Sequence, residues 1–346
     1  MAFKSYLQWA AVIAASVQLG AAQTYTSCNP LEETCKADTG LNQYQLNTDF
    51  TTGSSAFKRW NTTAGTVEST SLGAKFTIAE QGDAPTIESD FYIFFGYVEI
   101  KMRAANGTGI ISTAVMESDD LDEIDWEQIS TYDSSIETDY FGKGNTTSYD
   151  RDTKVSVSSP EETFHSYAVN WTSSKIDWLL DGQVVRTLDY AAAVDGTNFP
   201  QTPMRVKIGI WAGGDPSNSE GTIEWAGGQT DYTTGPFSMY VESVNIINYN
   251  PAQSYKYTDK TGSYTSIKAS NGTTPTNLIG PSTSSNSTAR SSALASAKLS
   301  SSAAAATSAN ASPSSSTAMS TSAASSYFSS LFGIVLAAFV AGMVRL

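Results

Sequence analysis

Residues Asp122 to Glu127 read DEIDWE, four carboxylates in six positions, interleaved with two large apolar side chains. At the two-residue period of a strand, Glu123, Asp125 and Glu127 share one face, and Ile124 and Trp126 share the other. One face can pack a core while the other presents three acids in a row. Like charges held this close raise the proton affinity of at least one member. The row costs stability, but it suits chemistry that needs one carboxylate ionised and a neighbour protonated. Retaining cleavage of a glycosidic bond has that need, with two carboxyl groups ~5–5.5 Å apart. On a flat strand, residues four apart have Cα atoms ~13 Å apart at ~3.3 Å per residue. Long Glu arms and a concave sheet can close the gap, with Asp125 between them to tune a neighbour's proton. A solvated acidic face or a cation site is the competing reading. Alternation with Ile and Trp favours catalysis.

Acids in such a row must be held by a sheet. Phe91 to Ala104, His165 to Trp171, Lys175 to Leu188, Arg205 to Trp211 and Ser238 to Tyr249 are rich in β-branched and aromatic residues, with Gly, Asn, Asp and Pro clusters between them. Asp181-Gly182 between two apolar runs signals a hairpin. No long segment has helical period, and Ala191 to Val194 offers one or two turns at most. These features predict an all-β, two-sheet antiparallel sandwich. In Arg205 to Trp211, one face carries Arg205, Lys207, Gly209 and Trp211, the other Val206, Ile208 and Ile210. Read as a strand, GTIEWAGG sets Thr222 and Glu224 against Ile223 and Trp225. Three segments thus offer polar faces for one groove. Trp126 and Trp225 are expected in the core. Tyr132 and Tyr140 are open between platform and packing, Lys143 is undecided, and the single histidine, His165, is expected to be a hydrogen-bonded strand residue.

Composition bounds the rest. Lys4 precedes an apolar run from Leu7 to Val17 and small residues to Ala22, which reads as a signal peptide over 1–22. One folded domain is expected over 23–268, then a Ser/Thr/Ala-rich glycosylated stalk over 269–326. The apolar tail within 327–346 reads as a GPI-anchor signal, since Leu331 to Val344 falls short of the ~20 residues a membrane span needs. This predicts a secreted protein, anchored to the outer plasma membrane and associated with the cell wall. Between Gln23 and Lys268 lie all 34 acids and 16 of the 20 basic residues. That acidity argues against nucleic acid or anionic lipid as partner and favours a neutral polymer. Cys28 and Cys35 are the two cysteines and are expected to pair. Sequons start at Asn61, Asn106, Asn145, Asn170, Asn271, Asn286 and Asn310.

DEIDWE resembles the active-site strand of glycoside hydrolase family 16, and HSYAVNW with IDWLLDG resembles that family's later strand pair. Tyr140 to Arg151, Phe199 to Arg205 and Ile210 to Gly228 resemble the fungal Crh subfamily, GPI-anchored wall transglycosylases that cut chitin and join it to β-glucan. The likeness runs from about Cys28 to Tyr257. It implies a concanavalin-like jelly roll with a concave groove, Glu123 as nucleophile, Asp125 as helper and Glu127 as acid/base. Lys207, Trp211 and Thr222 fall at sugar-contacting positions. The chemistry calls for no cofactor and no metal, and a monomer is expected. A hydrolytic glucanase or chitinase on the same residues, and a non-catalytic wall lectin, are the rivals.

Overall fold

The structure, a computed structural model, describes residues 25–271. The calls on the leader, on most of the stalk, on the tail and on Asn286 and Asn310 lie outside them. Alternating patterns close into two antiparallel sheets, the expected all-β sandwich. A seven-stranded sheet runs in the spatial order Thr153–Ser156, Ser135–Phe141, Glu123–Ile129, Ile110–Ser118, Met204–Ala212, Thr86–Ser89, Trp60–Ala64. The facing eight-stranded sheet centres on Gly96–Arg103 and Phe237–Asn248. A third sheet of three short strands lies beside them.

The core fills the space between the two large sheets. Ile124, Trp126, Val206, Ile208 and Ile210 face inward, as their alternation requires. Three buried indoles also find acceptors, which a buried N–H needs. Trp126 donates to the Ala168 carbonyl (3.2 Å), Trp171 to that of Pro200 (2.8 Å) and Trp178 to that of Asp125 (3.1 Å). The last bond reaches from the second sheet to the middle of the acidic strand. The core therefore pins the strand that carries the acids.

The hairpin at Asp181-Gly182 forms between Lys175–Leu180 and Gln183–Asp189, with φ of +48° and +77° at the two turn residues. Both positive angles are what the Asp-Gly pair supplies in a two-residue turn. Ala191 falls in the single 3₁₀ turn Tyr190–Ala192. The disulfide Cys28–Cys35 is present.

Two expectations fail. The run from Phe91 is not strand from its start: Tyr92 and Ile93 make isolated bridges, the continuous strand begins at Gly96, and Phe91, Phe94 and Phe95 drop into the core. The segment holding Thr222 and Trp225 is not a strand but the helix Glu220–Trp225. Ser219 caps it by accepting from the Thr222 N–H, Glu220 complements its positive end, and Gly227 and Gly228 at positive φ stop it. Six residues are too few to separate a period of 2 from one of 3.6.

Candidate active site

Register decides which side chains meet. Across from Glu123, Asp125 and Glu127 on one neighbouring strand lie Phe141, Asp139 and Glu137; on the other lie Glu117, Val115 and Thr113. Directly opposed residues point to the same face. On these three strands the outer face therefore gathers six carboxylates, twice the three that the hexapeptide puts there. Asp139 and Glu137 had a signal in the sequence, since IETDYF repeats the same alternation one strand later. Glu117 had none, because MESDD carries no period.

Burial and proximity act together here. Asp125 is 1% exposed. Its proton affinity is pushed well up, first by burial, then by Glu123, Glu127 and Asp139. Glu127 keeps a partly exposed edge, and its affinity also rises well above the ordinary range through desolvation, Glu123, Asp139 and Glu137. Asp139 is raised to about 6 by burial, against the opposing bond from the Tyr140 N–H and the nearby Arg186 and Arg151. At neutral pH this cluster retains protons. It can supply a neutral carboxylic acid beside an ionised neighbour, as acid/base chemistry requires.

Asp122, the first residue of the hexapeptide, does something else. Fully buried, it accepts from the Lys143 N–H (3.0 Å), Lys143 Nζ (3.1 Å), the Gln201 N–H (2.8 Å) and the Thr202 hydroxyl (3.0 Å). It is a structural anchor, which settles Lys143 as its partner. His165 is held between Asp181 and the Ser158 carbonyl, both at 2.8 Å, as expected.

Lys207 shares the acid face, because it opposes Val115, which opposes Asp125. It is buried, and its ammonium pairs with Glu117. Burial raises Glu117 to about 7, Lys207 pulls it down and Glu123 pushes it up. Trp211 opposes Ile111, which opposes Ile129, so it stands just beyond Glu127 on the same face. There Ile111, Ile129 and Ala226 form a small apolar floor under Trp211 and Trp225. Trp225 is not core: it is half-buried, stacks on Trp211 at 6.0 Å and 22°, and donates its indole N–H to Glu137 (3.0 Å). Thr222 sits on the helix, its hydroxyl 2.8 Å from that of Ser219. Tyr140 turns inward and packs in the core, whereas Tyr132 is exposed with Lys154 over its ring. An open hollow of about 680 Å³ lies elsewhere, between Asp133, Ser134 and residues 156–162. It is lined mostly by loops, and none of the six strand acids lines it.

A sheet face with a carboxylate row at its middle and paired indoles at one end fits a polysaccharide-cleaving class. Comparison agrees: the profile of glycosyl hydrolases family 16 matches residues 54–227, and the chain belongs to that family. Within it the chain is of the Crh type, a glycosidase/transglycosylase. It is 64% identical over 262 residues to Crh-like protein 1 of Aspergillus fumigatus, covering 76% of this chain and 71% of that protein. It is 56% identical to Crh-like protein 5 of the same species, over 75% of this chain and 65% of that one. A solved structure described as Crh5 transglycosylase in complex with NAG superposes with a TM-score of 0.69 at 56% identity, covering 70% of this chain and 99% of that one.

Proposed function

We propose that this enzyme cleaves chitin by retaining double displacement and transfers the chain held on the nucleophile to β-glucan. The observation that carries the reading is Asp125, buried between Glu123 and Glu127 on one strand face. In the first step Glu127 gives its proton to the glycosidic oxygen while the Glu123 carboxylate bonds to the anomeric carbon. The leaving chain departs with that proton. In the second step Glu127 takes the proton of an acceptor hydroxyl, whose oxygen displaces Glu123. Asp125, holding a proton through burial and its neighbours, stabilises Glu123 as the departing carboxylate. Trp211 and Thr222 are the proposed sugar contacts, whereas Lys207, expected at such a position, is buried and paired with Glu117, so its proposed part is to orient that acid. The support for transfer over hydrolysis is the likeness to a structure described as a transglycosylase.

The place of action is proposed from the same chain: a cleaved leader, a glycosylated stalk and a GPI anchor would hold the enzyme at the outer cell surface and wall. The test of function incubates the secreted protein with chitin oligomers, with and without labelled β-glucan oligomers, and sizes the products. Labelled products longer than the acceptor are expected. Shortened chitin with no label incorporated would overturn transfer.

A further inference from the structure

Tyr25 lies over the acid-bearing sheet. The Lys207 ammonium sits over its ring, 4.7 Å from the centroid. Lys207 is two strand pairings from Asp125, and strands are ~4.8 Å apart, which sets its backbone roughly 10 Å to the side of Asp125, with its ammonium on Glu117 and the ring above it. Lys207 is 2% exposed while Tyr25 is 59% exposed. One face of the ring therefore rests on a buried cation and the rest meets solvent.

The position of Tyr25 is built rather than incidental. Its neighbour Thr26 closes a tight turn, accepting from the Cys28 N–H (3.3 Å) and donating to the Cys28 carbonyl (3.0 Å). Cys28 is then locked to Cys35, and Lys260 bonds the Glu32 carbonyl within that loop. An aromatic side chain is thus held by a cross-linked loop onto a charged residue of the sheet.

We propose that Tyr25 is a sugar-binding residue of this site, a platform on which one pyranose ring of the polysaccharide stacks, and that the Cys28–Cys35 loop exists to hold it there. The axial C–H groups of a pyranose form an apolar face that matches an aromatic ring, and a ring already resting on Lys207 loses little freedom on binding. The cation also fixes the ring's tilt. The assignment rests on the proposed polysaccharide site.

The test measures transfer kinetics with a chitin tetramer as donor for Tyr25→Ala, Tyr25→Phe and the double variant Cys28→Ser/Cys35→Ser. Tyr25→Ala should raise KM by roughly 5-fold, about the worth of one aromatic contact, with kcat held within about two-fold. Tyr25→Phe should behave as wild type. The disulfide-free variant should raise KM in the same direction, and adding Tyr25→Ala to it should add less than in the intact protein, because both changes act on one contact. Calorimetric binding of the tetramer to Glu123→Gln with and without Tyr25→Ala reads the same contact without turnover. Unchanged KM and affinity in Tyr25→Ala would refute the platform. A lower KM would refute it too, and would make the ring a plug over Lys207. A wild type inactive on every oligosaccharide would sink the proposed function, while the binding comparison would still decide Tyr25.

Discussion

Asp139 stands across one strand pairing from Asp125, and its charge helps to hold the Glu127 proton. Removing that charge should ease ionisation of Glu127. Asp139→Asn is therefore expected to move the alkaline limb of the transfer rate to lower pH, with kcat at the acid side little changed. A pH–rate profile checks this, and a limb that stays put would show Asp139 to be a bystander. The same residue predicts a stability trend. Unfolded carboxyls titrate near ~4, whereas Asp139 titrates at about 6 and Glu117 at about 7 in the fold. Between those values the native state binds more protons than the unfolded one, so stability falls as pH rises through the window. Thermal midpoints should drop from about pH 4 to 7, with a shallower drop between about 4 and 6 in Asp139→Asn. At the centre, Glu123→Gln should abolish the covalent glycosyl-enzyme for every donor. Glu127→Gln should fail on ordinary donors but accumulate an adduct from a donor whose leaving group needs no proton. Mass spectrometry distinguishes them, and an adduct on Glu127 would reverse the two roles.

Two tryptophans mark opposite kinds of dependence on the elements that carry them. Trp178 belongs to the second sheet, is fully buried, and donates to the Asp125 carbonyl. Trp178→Phe should cost roughly 1–3 kcal/mol, because it removes a buried hydrogen bond and leaves space behind. It should also lower kcat, since the strand beneath the acids loses its anchor. Trp211 is half-exposed beside the helix Glu220–Trp225, on the outer face. Trp211→Ala should cut transfer strongly while moving the melting temperature by only a few degrees. A collapse of stability without a separable binding defect would place Trp211 among the core residues. The helix itself ties together the two flanks of the site at the Glu127 end, because its Trp225 joins Trp211 by stacking and Glu137 by hydrogen bond.

For the molecule as a whole, the sequons differ in what their side chains already do. Asn61, Asn106 and Asn271 are exposed. Asn170 is half-buried, its amide nitrogen 3.4 Å from Asp177 and its oxygen 2.9 Å from the Tyr249 hydroxyl. A glycan on the Asn170 nitrogen would take one of its N–H groups and crowd the contacts to Asp177 and Tyr249. Peptide mapping of the secreted protein should find Asn61 and Asn106 occupied and Asn170 bare. Full occupancy at Asn170 would mean that those bonds contribute little to the fold.

The strand-like segments and turn signals along the chain were sufficient for the all-β class, and the alternation of the hexapeptide for the facing of Glu123, Asp125 and Glu127 and the inward turn of Ile124 and Trp126. A period of two is a local property of backbone geometry, so neighbouring residues reveal it. The Asp181-Gly182 hairpin was legible for the same reason, as positive φ is a demand placed on individual residues. What lay beyond reach was register. Glu117, Glu137 and Asp139 join the site because strands pair across it, and pairing is set by the packing of the whole sandwich. The helix at Thr222 was misread because six residues do not fix a period, and the capping by Ser219 and the stop at Gly227 decided it. Trp225 left the core, and Lys207 went under cover, through contacts with residues far away in the chain. Tertiary structure alone brings Tyr25 to Lys207, 182 positions later.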